Sequence, residues 1–532
     1  MPSRLLSLRH LGIYAAVLAI ALVPAASPAA AKRAAARRRP PLPLAKAIPA
    51  LLAQSGLAQA HWGISVVTMS GKSIYSYNDA QYFHPASNAK LFTTAAVFAL
   101  LPQQLTFTTN VVTAAPPDAA GEVRGDVVIL GVGDANISGR TLPYDGRTER
   151  PNPPLAALED MADQIVRRGV RTIDGKIIGD DTWFAYERYG SGWSWDDLQW
   201  SYGAPISALT VNDNTVYLNV MPGAAAGEPA LASWLPSTAY YTLENAVTTS
   251  AGGAQQAGIE RAPGSLSVRI YGQTPLGGDG IHEALAIEDP ADYAARSLRE
   301  MLLARGVRVI GGSEARHRSL ATFTGFAQEQ FEPLALQPVS LATVSAPYQG
   351  TLLASHVSPP LSEDLTVTNK VSQNLHAEIM LRTLGKLLGT DGSLEEGTRV
   401  LRQFMIGAGV APGDFMLYDG SGLSPMDLVT PRAFTSLLVY AAGQSWGESF
   451  RATLPVGGTD GTLASRFKKA PLAGKVFAKS GTLAETTALA GYVTGAKGDT
   501  VAFSIVCGDH MAGGEGERDT VDKIVAAIAA VN

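Results

Sequence analysis

Ser87 and Lys90 stand three positions apart at the head of the apolar stretch Leu91 to Leu101, just after Phe83-His84-Pro85-Ala86. Pro85 suits the first turn of a helix, and a spacing of three on a helix puts a hydroxyl and an amine on one face within hydrogen-bond reach. A serine is a weak nucleophile until its proton is taken. A lysine takes it only when its amine is neutral part of the time, which burial or a neighbouring cation brings about. Alone the pair carries little, because Ser-x-x-Lys is frequent by chance in a long chain. Two more groups follow: Ser372-Gln373-Asn374 before a helical stretch beginning at Leu375, and Lys479-Ser480-Gly481-Thr482 on the first of three apolar runs. Each has an ordinary explanation by itself, since Ser372 and Asn374 could cap a helix and Lys479 could be a solvated strand residue. Explaining all three groups away requires three coincidences in one chain.

The elements around these residues are legible. The alternation Trp62, Ile64, Val66, Thr68, a turn at Ser70-Gly71-Lys72 and a second run through Ile74, Tyr75 and Tyr77 predict a β-hairpin. Lys475 to Leu483, Thr487 to Val493 and Val501 to Val506 predict an antiparallel meander, closed by an apolar helix over Val521 to Val531. Between them, from about 106 to 340, the texture changes to short strands, Gly and Pro turns and two isolated helices ending near Gly169 and Gly306. Arg168-Gly169-Val170-Arg171 and Arg305-Gly306-Val307-Arg308 are near copies, which suggests two helix-strand units on one sheet. Gly131-Val132-Gly133 follows an apolar strand but lacks the third glycine and the helix of a dinucleotide loop, so a turn is the better reading.

The chain has 532 residues, 46% hydrophobic and 17% charged, the composition of a globular protein. Its net charge of -5 cannot supply the phosphate-neutralising surface that nucleic-acid binding needs. One cysteine, Cys507, and scattered histidines predict neither a disulfide nor a metal site. Residues 1–31 read as an export signal, with Arg4 and Arg9 before the apolar Leu11 to Val23 and small residues Ala29-Ala30-Ala31 for cleavage. Residues 32–49 read as a flexible basic leader, and no later segment is apolar for long enough to span a membrane. The mature protein is therefore expected outside the cytoplasm, in the periplasm or its equivalent.

In this order, Ser-x-x-Lys, Ser-x-Asn and Lys-(Thr/Ser)-Gly resemble the signature motifs of penicillin-binding proteins and serine β-lactamases. The chain is identified as a member of one branch, the low-molecular-mass class C D-alanyl-D-alanine carboxypeptidase/endopeptidases (peptidase family S13). The long separation of Ser87 from Ser372 singles out that branch, because compact β-lactamases leave no room there for extra domains. Further matches are Trp195-Asp196-Asp197 with Tyr202 to Leu209, Asp419-Gly420-Ser421-Gly422-Leu423-Ser424, and Asp460-Gly461-Thr462-Leu463. The resemblance implies an α/β (α+β) architecture, with a β-lactamase/transpeptidase-like catalytic domain formed by 50–105 and 341–532. A large inserted domain, 106–222 and 273–340, would contain a nested small β-rich domain, 223–272.

It also implies roles. Ser87 attacks the carbonyl of the penultimate D-alanine of a peptidoglycan stem peptide, Lys90 takes its proton, and an acyl-enzyme forms and is hydrolysed, with no cofactor. The N–H groups of Ser87 and Thr482 would hold the oxyanion, Ser372 would relay a proton to the leaving nitrogen, and Asn374 would hold Lys90 and the substrate amide. Lys479, Ser480 and Thr482 on either side of Gly481 would receive the substrate carboxylate or that of a penicillin, with Ser480 in place of the commoner threonine. Substrate contacts from the insert would come from Trp195, Asp196, Asp197 or Tyr202. His84 is read as structural. Many relatives carry an arginine where this chain has Pro425 and a polar residue where it has Ala484, so weaker discrimination among diamino-acid side chains is expected. The alternatives are a serine β-lactamase or esterase, disfavoured by the long insert, and a non-catalytic wall-binding or penicillin-sensing protein, disfavoured by the intact Ser87 and Lys90.

Overall fold

The two ends of the chain meet in one antiparallel sheet in the computed structural model, which describes residues 42–146, 152–320, 326–511 and 516–532. Its five strands run in the order Ser73–Tyr77, His61–Thr68, Thr500–Gly508, Thr486–Thr494, Val476–Leu483. The N-terminal hairpin thus docks on the C-terminal meander, from His61 opposite Gly508 to Thr68 opposite Val501. Alternation decides which face is which. Ile64 and Val66 share a face with Val501, Phe503 and Ile505, and onto it pack Val521, Ile524 and Ile528 of the helix Gly516–Val531. On the opposite face, Ala490, Tyr492 and Ala502 meet a second core built from the helices Lys90–Leu100, Asn374–Leu387, Leu394–Gly407 and Pro431–Ala442. The first of these is buried on almost every side, as its nearly uninterrupted apolar sequence demands.

Residues 44–49 are not leader. They open the helix Leu44–Gln54, whose Leu44 and Ile48, four positions apart on one face, are buried in the same core as Ile64. The basic run before them obscured that short apolar pair. The readings of 1–31 as a signal and of 32–41 as leader fall outside the described residues. Among the described residues no helix is long and apolar enough to cross a membrane.

From Thr106 the chain builds separate sheets. The largest places Ser313–Arg316, Ile177–Asp180, Val127–Leu130 and Thr106–Thr113 side by side, with Thr351–Val357 on the far edge of Thr106–Thr113 and Thr343–Ser345 on its opposite edge at residues 106–108. The insert's sheet therefore extends past the expected boundary at 340, because strands 343–345 and 351–357 find their hydrogen-bond partners there. The two near-copy segments lie in matching places. Arg308 pairs in parallel with Thr172 and Ser313 with Ile177, and the helices Ala156–Arg167 and Pro290–Ala304 precede them.

Within the insert, Thr242–Ser250, Ser267–Pro275 and Gln256–Glu260 form a three-stranded sheet of their own, whose middle strand runs past the expected limit at 272. Leu231–Leu235 instead pairs with Thr215–Met221, so the nested segment is not closed on itself.

Candidate active site

Ser87 lies on a tight turn and not in the helix proper. Ala86–Ala89 is a 3-10 turn that passes into the α-helix at Lys90, and in a 3-10 turn residues three apart eclipse one another. Lys90 Nζ accordingly stands 2.9 Å from Ser87 Oγ. The lysine is fully buried, and its amine also donates to Asn374 Oδ1 at 2.6 Å and to the Ser421 carbonyl at 2.7 Å. Burial pulls its pKa down to about 7, against the opposing effect of Asp419, Glu378 and Asp427. In the neutral form the amine has two hydrogens, for Asn374 and Ser421, and a lone pair facing the Ser87 hydroxyl. An amine so placed can take the proton of the Ser87 hydroxyl.

The Ser421 carbonyl is held by a turn the sequence did not mark as part of the base. Glu378 Oε1 accepts from the N–H groups of Gly420 and Ser421 at 2.9 and 2.8 Å, and Asp419 accepts from those of Gly422 and Ser424 at 2.6 and 2.7 Å. Gly422 has φ +79°, and a Cβ there would lie 1.9 Å from the Ala86 carbonyl oxygen. Only glycine lets this turn lie so close over the Ser87 turn. Glu378, Asp419 and Asp427 are all fully buried. Burial, and then Asp419, push the carboxyls of both Glu378 and Asp427 upward, so the cluster does not present three full negative charges to Lys90.

Ser372 sits between the helices Leu361–Lys370 and Asn374–Leu387 with φ +63°, unusual for a residue other than glycine. Its Oγ accepts from Lys479 Nζ at 2.7 Å. Lys479 is fully buried and also donates to the Ser480 carbonyl at 2.7 Å. Burial, and then the neighbouring Lys90, hold its amine well below the ordinary lysine range. Lys479, expected to meet the substrate carboxylate, makes its contacts here with Ser372 and the Ser480 carbonyl. The Ser480 hydroxyl pairs with Thr462 Oγ1 at 2.8 Å, and Thr482 is exposed on the cleft.

Val476–Leu483 is the edge strand. Ala478 N–H donates outward to the Pro455 carbonyl at 3.0 Å, and by strand alternation the N–H of Thr482 faces the same open side. A Cβ on Gly481 would come within 2.8 Å of the Pro85 carbonyl oxygen and 3.1 Å of Asn88 N. The absent side chain brings this edge against the Ser87 turn.

Ser87, Ser372, Asn374 and Thr482 line a cleft of about 830 Å³ whose other wall is the insert, through Asp196, Asp197 and Tyr202. The Tyr202 carbonyl accepts from Asn374 Nδ2 at 2.8 Å, and its hydroxyl donates to Asp197 at 2.9 Å. Burial raises the Asp197 carboxyl. Trp195 is 71% exposed and does not line this cleft. Trp193, which sequence reasoning passed over, donates its Nε1 to Asp419 at 2.9 Å and so ties the insert to the turn beneath Lys90. His84 lies 3.2 Å from the Asp427 carbonyl through Nδ1.

A family model described as the D-Ala-D-Ala carboxypeptidase 3 (S13) family matches residues 44–337 and 313–531. The chain belongs to this family. It is 34% identical over 514 residues to a D-alanyl-D-alanine carboxypeptidase of Actinomadura sp. (strain R39), covering 93% of this chain and 87% of that one. To the D-alanyl-D-alanine carboxypeptidase DacB of Haemophilus influenzae it is 25% identical, with 81% of each chain covered. The crystal structure of penicillin binding protein 4 (dacB) from Haemophilus influenzae superposes with a TM-score of 0.73 at 22% identity, covering 90% of this chain and 98% of that one. The mixed α/β, transpeptidase-like fold is thereby established, and this S13 protein is a serine-type D-Ala-D-Ala carboxypeptidase of the penicillin-binding kind.

Proposed function

We propose that this carboxypeptidase works through a Ser87 acyl-enzyme on the stem peptides of peptidoglycan, with Lys90 as general base, and that β-lactams acylate the same serine. The observation that carries the reading is the buried, depressed Lys90 amine 2.9 Å from Ser87 Oγ. Ser87 attacks the carbonyl of the penultimate D-alanine as Lys90 accepts its proton. The negative charge that develops on the carbonyl oxygen is met by the N–H groups of Ser87 and Thr482. Ser372, whose oxygen already accepts from Lys479, relays the proton to the leaving nitrogen, giving up its own O–H and regaining the proton that Lys90 took, so that the Ser87 proton ends on the departing amine and Lys90 is neutral again. The Thr482 and Ser480 hydroxyls receive the terminal carboxylate, and Asn374 keeps Lys90 in register. Water then hydrolyses the ester. Cleavage of cross-linked stems fits the same chemistry, since only the leaving amine differs.

An exported, periplasmic location follows from the substrate and from the apolar stretch behind Arg4 and Arg9. The division into catalytic, inserted and nested parts is part of the same proposal, with the inserted part carried to residue 357 by its strand pairing. The test is to follow labelled penicillin and muropeptides side by side. Stoichiometric acylation with slow release, together with D-alanine release from pentapeptide stems, is expected. Fast penicillin release without D-alanine would mean a β-lactamase, and acylation without any muropeptide turnover a sensor.

Side-chain preference is a second expectation. Pro425 and Ala484 both line the cleft and bring no polar group to it, while the cation on its lining, Arg518, is solvent-exposed. Strong discrimination needs a buried polar site that an incorrect analogue leaves unpaired, and an exposed cation is screened by water. Comparing kcat/KM for peptides with free, amidated and absent side-chain carboxylate should give a spread below about 10³. A larger preference for the free carboxylate would contradict this account of the pocket.

A further inference from the structure

Asn212, Asp213 and Asn214, a buried turn of the insert, each have φ of +52°. Three consecutive left-handed residues without a glycine are costly, least so for Asn and Asp, and persist only where the surroundings over-determine them. Here the outer two side chains do so. Asn212 Nδ2 donates to the Thr215 carbonyl at 2.8 Å and Asn214 Nδ2 to the Pro205 carbonyl at 2.8 Å, while Asn214 Oδ1 accepts from Val211 N–H at 3.1 Å.

The middle side chain leaves the insert's own turn and meets the segment that carries Ser372 and Asn374. Asp213 Oδ2 accepts from Gln373 Nε2 at 2.8 Å and from Arg140 Nη2 at 2.7 Å, and its Oδ1 lies 3.4 Å from His376 Nε2. Gln373 is held at its other end as well, with Oε1 accepting from Leu375 N–H at 3.1 Å. The other ring nitrogen of His376 bonds Asp364. Burial opposes protonation of this ring, but Asp364 and then Asp213 bring its pKa to about 9. A guanidinium and an imidazolium therefore balance the two buried carboxylates, as buried charge requires. One carboxylate of the insert grips the residues on both sides of Asn374. The grip bears on the turn where Ser372 holds φ +63° and meets Lys479.

We infer that Asp213 is a positioning residue for the carboxypeptidase reaction, setting the Ser372–Asn374 turn through Gln373 and His376 so that the Ser372 hydroxyl meets the leaving nitrogen. The inference rests on the acyl-transfer reading above and gives the insert a part in catalysis beyond walling the cleft.

An amide nitrogen must be protonated to leave, whereas a thioester departs as thiolate, so displacement of Ser372 falls on the first substrate and spares the second. Asp213→Asn keeps the size and left-handed tolerance of the residue but removes its charge and one acceptor oxygen. Gln373→Met cuts the same link from the other side and leaves the insert's turn untouched. For each variant, kcat/KM on a D-alanyl-D-alanine peptide should fall about 10²-fold, the usual effect of misplacing a reacting group. On the matching thioester it should fall less than about threefold, because Asn374 is held independently by the Tyr202 carbonyl and Lys90 by the Ser421 carbonyl, which keeps the base and the oxyanion donors in place.

Equal losses on both substrates, or unchanged amide turnover in folded Gln373→Met, would overturn the positioning role. If Asp213→Asn fails to fold, the amide-to-thioester ratio of Gln373→Met decides alone. A wild-type protein inert to both substrates overturns the acyl-transfer reading and the positioning role with it. An active wild type with equal losses in the variants overturns only the latter.

Discussion

Ser87→Ala is expected to abolish covalent labelling by penicillin and to lower D-alanine release by about 10⁶, the scale on which serine hydrolases lose turnover when the nucleophile is removed. The expectation rests on position. Ser87 faces the cleft with a buried amine 2.9 Å from its oxygen. Ser372, the other motif serine on that cleft, also has a buried amine, Lys479, 2.7 Å from its oxygen, but it is the Ser87 turn that packs against the Gly481–Thr482 edge and its outward N–H groups. Intact-mass measurement after exposure to penicillin, with peptide mapping of the adduct, reads the outcome. An adduct that persists in Ser87→Ala, or that maps to Ser372 in the wild type, would sink the assignment of the nucleophile.

Lys90→Ala should slow acylation by about 10² or more, the usual contribution of a positioned general base. The pH profile gives a sharper signature. An ordinary lysine amine has a pKa of 10.5, and burial brings that of Lys90 to about 7. The base form is therefore about 10³ more abundant at neutral pH than it would be in water. Because the neutral form is the active one, wild-type acylation should rise with pH through about 7 and then level off, and Lys90→Ala should lose that rising limb. Asn374 Oδ1 and the Ser421 carbonyl both lose their donor in this variant, so circular dichroism is needed to establish that it folds. A folded Lys90→Ala protein that acylates within about threefold of wild type would point to a different base.

The β-hairpin over Trp62 to Tyr77, the C-terminal meander and the closing helix were legible because each is an amphipathic pattern of fixed period whose apolar face must be covered. The helix Leu44–Gln54 was missed for the same reason in reverse. Only Leu44 and Ile48 mark its buried face, beside a run of basic residues. Strands 343–345 and 351–357 were assigned to the wrong side of a boundary, since nothing local distinguishes which of two sheets a short strand will join.

At the site, the three motifs and their order came from the sequence, and with them the expectation that Ser87 and Lys90 touch, because three positions along a tight turn is a local distance. Lys479 was read from its charge as a carboxylate binder, and only the fold shows that its amine is buried against Ser372 and held well below the ordinary lysine range. Trp193, Glu378 and Asp213 carried no signal of the contacts they make. Their effect depends on meeting Asp419, the Gly420–Ser421 peptide and Gln373 across separations no periodicity spans. Asn212-Asp213-Asn214 did hold a clue, since three successive residues tolerant of left-handed backbone are a candidate strained turn.

By itself, then, the sequence determined which chemical groups are available and which local elements carry them, because residue types and short-period patterning are properties of a few neighbouring positions. Only the tertiary structure decided the state in which those groups act. The depressed Lys90 amine, the left-handed Ser372 and the grip of the insert on Gln373 each arise from desolvation or hydrogen bonding between segments far apart in the chain. Such energies exist only once the intervening chain has folded and excluded water between them.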